Sequence, residues 1–153
     1  MADFLTPAAR SERMSRIRGK DTAPERLLRS ALHRLGLRFR LHRSDLPGKP
    51  DIVFPRYKVA VLVHGCFWHR HQDCSIATTP KTNTEYWTAK FARNVERDMK
   101  VAAQLSLLGW RVVVAWECEL NSRVKAKKKA SEIAALLRDP AGGLGRTSPN
   151  RIR

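Results

Sequence analysis

Between Thr22 and Gly36 the apolar residues Leu28, Ala31, Leu32 and Leu35 recur at helical spacing, which predicts a helix with one buried stripe and Gly36 as its stop. Upstream, Thr6-Pro7 supplies an N-cap and a first-turn proline for a shorter helix running to about Arg18. Its apolar positions are Met14 and Ile17, and it carries Arg10, Arg13, Arg16 and Arg18. After Leu37 the period changes. LRFRL alternates, LPGKPD turns, and IVF and VAVLV are β-branched runs split by PRYK, which predicts adjacent antiparallel strands. A long helix follows from about Thr84 to Leu108, with Phe91, Val95, Ala102 and Leu105 as its inward stripe and Gly109 as its stop. WRVVVAW predicts a further strand, and SRVKAKKKASEIAALL a last helix with a basic face. Two helices, three strands, a helix, a strand and a helix make a mixed α/β fold. We expect one domain over residues 1–137 and a basic, unstructured tail over 138–153, where Pro, Gly, Ser and Arg leave little to bury.

The composition narrows the function. No stretch among the 153 residues approaches the roughly 20 consecutive apolar positions of a membrane-spanning helix. The first 20 residues hold scattered Arg and Lys without the apolar centre of a secretory signal, so a cytoplasmic location is expected. Thirty Lys and Arg against 14 Asp and Glu give a net charge of +16, an excess that points to a polyanion, with binding that weakens steeply with salt. Three cysteines cannot all pair, and a reducing compartment favours metal ligation over disulfides.

The stretch HGCFWHRHQDC, residues 64–74, holds five potential ligands and follows directly on the strand VAVLV. Cys66, His71 and Cys74 have the spacing of a loop folded around one tetrahedral zinc, and Cys118, at the end of WRVVVAW, is the natural fourth ligand. Four protein ligands close a site against water, so this zinc is structural. His64 and His69 are left over. A histidine held rigid beside a zinc loop suits general base chemistry, although either ring could equally be a hydrogen-bonded structural one.

Asp51 opens the strand IVF behind Pro50, where an acid is costly unless paired. A carboxylate beside a basic, phosphate-binding surface suits magnesium and metal-assisted phosphodiester hydrolysis, and the alternative is a turn aspartate capping local backbone. Asp98 falls on the inward stripe of the long helix, where His69 or an arginine could partner it. Thr22-Ala23-Pro24-Glu25 has the spacing of a capping box, the default role for Glu25, and a first-turn carboxylate there could also reach an active site. Phe67, Trp68 and Trp87 are aromatics that could stack on or wedge between bases, or simply pack in the core.

Taken together, RSERMSRIRGKDTAPE, LPGKPDIVF, HGCFWHRHQDC, TEYW, RNVERD and LGWRVVVAWECEL resemble, in order, the very short patch repair endonucleases. These are bacterial nickases that act on T:G mismatches left by deamination of 5-methylcytosine. The resemblance runs from about Arg10 to Leu120. It implies a restriction-endonuclease-like mixed sheet flanked by helices, with catalytic magnesium (Mg2+) at Asp51 and the backbone carbonyl of Val63. It also implies His69 as base supported by Asp98, His64 and Glu25 close to the reaction, and structural zinc (Zn2+) on Cys66, His71, Cys74 and Cys118. Phe67, Trp68 and Trp87 would form an aromatic wedge beside the mismatch, and Met14 would enter from the opposite groove. The chain departs from some members at Arg70, which interrupts a histidine run, and at Gln72-Asp73, which lengthens the approach to Cys74 by one residue.

The expected protein is therefore a monomeric endonuclease that nicks one strand of double-stranded DNA 5′ of the mismatched thymine, working at the bacterial nucleoid and passing the nick to downstream repair proteins. Two rivals are a restriction-type nuclease on paired DNA and a zinc-stabilised DNA-binding module without catalysis.

Overall fold

A computed structural model describes residues 3–16 and 19–139. Four helices, α1 (Pro7–Ser15), α2 (Ala23–Arg34), α3 (Thr84–Leu107) and α4 (Arg123–Arg138), surround strands β1 (Arg40–Leu41), β2 (Ile52–Phe54), β3 (Val59–His64) and β4 (Arg111–Trp116). One 3-10 turn, Glu117–Glu119, follows β4. The strand order is β1-β2-β3-β4. β1 to β3 pair antiparallel, with Ile52 opposite Val61 and Phe54 opposite Val59. β4 runs parallel to β3, placing Ala115 opposite Val63 and Trp116 opposite His64, and α3 makes the crossover. The architecture is the expected mixed four-stranded sheet flanked by helices, consistent with a restriction-endonuclease-like fold.

β2 and β3 are buried on both faces because helices cover both. The two-residue period divides their side chains. Ile52, Phe54, Val59 and Val61 pack with Leu28 and Leu32 of α2 and Ile133 and Leu137 of α4, while Val53 and Ala60 face Leu105 of α3. The sheet is thus clamped between two layers.

Several expectations need correction. α1 ends at Ser15 with Arg16 as its C-cap, and Ile17 and Arg18 lie outside the described residues. Arg138, assigned to the tail, is instead the last residue of α4, and residues from 140 onward lie outside the described residues. Of the alternating LRFRL run only Arg40 and Leu41 join the sheet. Leu35 is 41% exposed because α2 has finished before it, and Val95 is 36% exposed. On α3 the buried stripe instead runs through Trp87, Phe91, Asn94, Asp98, Val101 and Leu105, which places Asp98 inward, as predicted, with Asn94 in the position assigned to Val95.

The Pro47-Gly48 turn delivers the chain to β2. Gly48 has φ +71, and a Cβ there would stand 2.4 Å from Val101 Cγ1. Left-handed strain and overpacking each cost on the order of 1–2 kcal/mol. Gly48→Ala is expected to lower unfolding stability by about 2–4 kcal/mol in a denaturant titration; an unchanged midpoint would contradict this packing of the turn on α3.

Candidate active site and metal-ligating cluster

Asp51 stands immediately before β2, and its Oδ2 accepts the Val63 N–H at 2.7 Å, so the head of β2 is fastened to the end of β3. Burial pushes its carboxyl up to about 6; the Val63 N–H opposes this, Glu25 adds to it, and His42 and His69 oppose it. A carboxylate so desolvated binds a cation readily, since the cation removes the cost of its charge. Asp51, Val63, His64, His69 and Asp98 line one cleft of about 650 Å3, and Lys20, Lys49 and Arg97 supply its positive rim.

His69 Nδ1 lies 2.6 Å from Asp98 Oδ2. An ionised carboxylate can only accept, so the proton sits on Nδ1 and the lone pair on Nε2. His64 ends β3 and stacks on His69 with centroids 4.0 Å apart and planes 5° from parallel. It is only 6% exposed, and its pKa is pushed down to about 4, first by burial and then by His69, while Asp98 opposes; it is therefore neutral. Its Nδ1 is buried without a hydrogen-bond partner. Although His64, His69 and Asp98 lie close enough to share an ion, stacked rings hold their lone pairs in separate planes. The trio therefore suits a base with a neutral platform behind it.

The second cluster has different chemistry. Cys66 Sγ and Cys118 Sγ lie 3.6 and 3.4 Å from His71 Nδ1, and all four ligand atoms including Cys74 Sγ fall within 4.8 Å of one another. Tetrahedral zinc, with bonds of about 2.3 Å to sulfur and 2.0 Å to nitrogen, requires ligand separations of about 3.5 Å, so the set fits. Burial pushes the Cys66 thiol up to about 12 and lowers His71, so the imidazole is neutral and the buried thiol stays protonated until a cation displaces its proton. His71 stacks on Trp116 at 4.2 Å, which fixes its ring.

A family model described as DNA mismatch endonuclease Vsr matches residues 2–75. A type II nicking enzyme, V.XorIIP of Xanthomonas oryzae, is 50% identical over 79% of this chain and 88% of its own length. The DNA mismatch endonuclease Vsr of Escherichia coli is 45% identical over 85% of this chain and 83% of its own. A type II nicking enzyme of Neisseria meningitidis, V.NmeAIP, is 39% identical over 91% and 99%.

The chain belongs to the Vsr DNA mismatch endonuclease family. It is thus an endonuclease with DNA as its substrate.

In this Vsr-family site, Glu25 departs from the capping-box reading. Its carboxylate reaches past the Thr22 backbone to accept from Asp21 N–H at 3.0 Å and the Thr22 hydroxyl at 3.3 Å, and it is held by Arg29 Nη2 at 2.9 Å. The half-buried guanidinium decides this, since a carboxylate 2% exposed needs a charged partner more than a cap. Arg29 Nη2 also lies 2.6 Å from Asp21 and 3.2 Å from His42. Asp21, Glu25 and His42 cluster tightly enough for an ion, but the guanidinium already occupies that place.

Phe67 and Trp68 are half-buried and meet edge to face at 4.9 Å. Trp87 stands 5.6 Å from Phe67 but is only 7% exposed, so it backs this pair from within. Met14 faces Trp68 across a neighbouring hollow that also contains Glu25, His64 and Lys90. Sequence reasoning missed three contributors. Asn94 donates to the Trp68 carbonyl at 3.0 Å. His42 reaches within 3.9 Å of Asp51 from a left-handed backbone, φ +46. Arg70 lies 4.1 Å over the Phe91 ring and donates to the carbonyls of Phe67, Ala77 and Thr78, bracing the loop. Only Asn94 left a signal, one helical turn before Asp98.

Proposed function

We propose that this protein nicks one strand of double-stranded DNA 5′ of the thymine in a T:G mismatch by magnesium-dependent hydrolysis, with structural zinc on Cys66, His71, Cys74 and Cys118. The observation that carries the reading is one cleft in which Asp51, fastened to Val63, faces the His69–Asp98 pair beside the aromatic pair Phe67–Trp68. The name of the Escherichia coli relative supports the mismatch as substrate.

Asp51 and the Val63 carbonyl would hold Mg2+, which supplies positive charge against the charge developing on the scissile phosphate. His69 Nε2 takes a proton from the attacking water, and Asp98 holds the ring in the required tautomer and stabilises the imidazolium that forms. His64, kept neutral, supports the His69 ring without adding a competing charge. Glu25, fixed by Arg29, presents negative potential to the same centre. Phe67 and Trp68, with Trp87 behind them, would wedge at the mismatch, and Met14 would enter from the other groove. The protein acts as a monomer of one domain in the bacterial cytoplasm, at the nucleoid. Arg13 on α1 and Arg16 just after it, both exposed, add phosphate contacts, and the product nick passes to other repair proteins.

His69→Ala is expected to reduce the single-turnover nicking rate by about 10²–10⁴-fold, the usual contribution of a general base, with mismatch binding retained in a gel shift. Asp98→Asn should reduce it less and alter the pH–rate profile. A His69→Ala protein that nicks at the wild-type rate would remove His69 from the mechanism.

A further inference from the structure

Arg10 is one of the four arginines of the basic N-terminal segment, yet it turns inward, with 7% exposure. Its Nε donates to Asp3 Oδ2 at 2.8 Å and its Nη2 to the Leu5 carbonyl at 3.0 Å, while its guanidinium lies 4.6 Å over the Tyr86 ring. Asp3 is the centre of the arrangement. Its carboxylate also accepts from Trp87 Nε1 at 3.0 Å, Asn83 Nδ2 at 3.4 Å and the Leu5 N–H at 3.1 Å. Its backbone carbonyl accepts from the Thr82 hydroxyl at 2.7 Å and Asn83 Nδ2 at 2.9 Å, and its N–H bonds the same hydroxyl.

This is a concentrated attachment across about 80 residues of sequence. The Asp3 and Arg10 side chains are 8% and 9% exposed, so the ion pair is shielded from water and salt in a way surface pairs are not. A buried carboxylate with several donors is costly to break, because removing one partner strands the others. On one side it holds α1, which carries Met14; on the other it holds the first turn of α3 and the indole that backs Phe67 and Trp68.

We propose that Asp3 is a positioning residue that latches α1 onto the start of α3 before DNA arrives, so that Met14 and the aromatic pair form one preset cleft. The latch rests on the functional reading above for its purpose, though not for its existence. A preset arm avoids ordering α1 at the moment of binding, so its benefit appears in substrate affinity. Arg10 then serves the fold and makes no phosphate contact.

The test uses the purified full chain. Limited trypsin digestion of Asp3→Ala should cut within the first 16 residues about tenfold faster than wild type. KM for a T:G duplex should rise about tenfold with kcat changed less than twofold. Arg10→Ala should match it, and the double variant should be no worse than the worse single variant, because both remove one latch. Asp3→Asn keeps an acceptor for Trp87 and should fall between. Unchanged digestion of Asp3→Ala would overturn the latch, and so would a raised KM in Arg10→Ala alone, which would return Arg10 to the phosphates. If wild type fails to nick a T:G duplex, the functional reading falls while the digestion still decides the latch.

Discussion

Asp51→Asn is expected to abolish nicking and at the same time to stabilise the metal-free protein at neutral pH. The activity loss follows from removing the one carboxylate fastened to Val63 at the proposed cation site; at several kcal/mol of lost charge stabilisation, the rate falls about a thousandfold or more. The stability gain follows from burial. The carboxyl titrates near 3.8 in an unfolded chain and near 6 in the fold. Below pH 3.8 it is neutral in both states and costs nothing. As pH rises toward 6 the unfolded chain ionises first and stability falls, and above about 6 the whole penalty is present. A shift of this size corresponds to about 3 kcal/mol, and the neutral amide escapes it while still accepting from Val63 N–H. Thermal melts at pH 8 without added divalent metal should place the variant several degrees above wild type, and the gap should close near pH 4. A variant less stable at pH 8 would contradict the burial penalty assigned to Asp51, and one that still nicks would remove Asp51 from the reaction.

Under the proposed zinc ligation, Cys66→Ser should leave the protein without the metal and with much less stability. Cys66 is fully buried and sits where the loop leaves β3, so the same metal would tie residues 66–74 to the turn after β4. Structural zinc sites contribute on the order of 10 kcal/mol, so a melt should fall by more than about 10 °C, and elemental analysis should find less than one zinc per chain. Chelation of the wild type should reproduce both effects, and added magnesium should reverse neither. Wild-type protein that purifies without zinc and melts unchanged after chelation would refute the structural role.

The repeating features of the fold were legible in the sequence, and the exceptions have identifiable causes. Leu28 and Leu32 announced α2, and the β-branched runs announced β2 and β3, because burial on a face leaves a period. The Cys/His cluster was legible from spacing plus the position of Cys118 at a strand end, since ligand geometry constrains both. Asn94 left only the weak signal of its place one turn before Asp98, because a 3.6-residue period leaves the edge of a stripe ambiguous, and the need of the Trp68 carbonyl for a donor settles it. Glu25 matched a capping box in spacing, but the deciding partner, Arg29, is itself ambiguous until burial is known. Arg10 looked like its exposed neighbours because the burial of its partner Asp3 appears only when residues 82–87 arrive beside it. Local pattern therefore predicts elements, whereas the role of a charged residue depends on which distant group shares its burial.

The most direct test compares two end-labelled duplexes of one sequence, one with a T:G pair and one with C:G, incubated with wild-type protein and magnesium. The expected result is a single nick 5′ of the mismatched thymine, an intact opposite strand, an intact C:G duplex and no product when magnesium is withheld. Equal cutting of the C:G duplex would contradict the mismatch claim, and nicking that persists without a divalent cation would contradict the role given to Asp51.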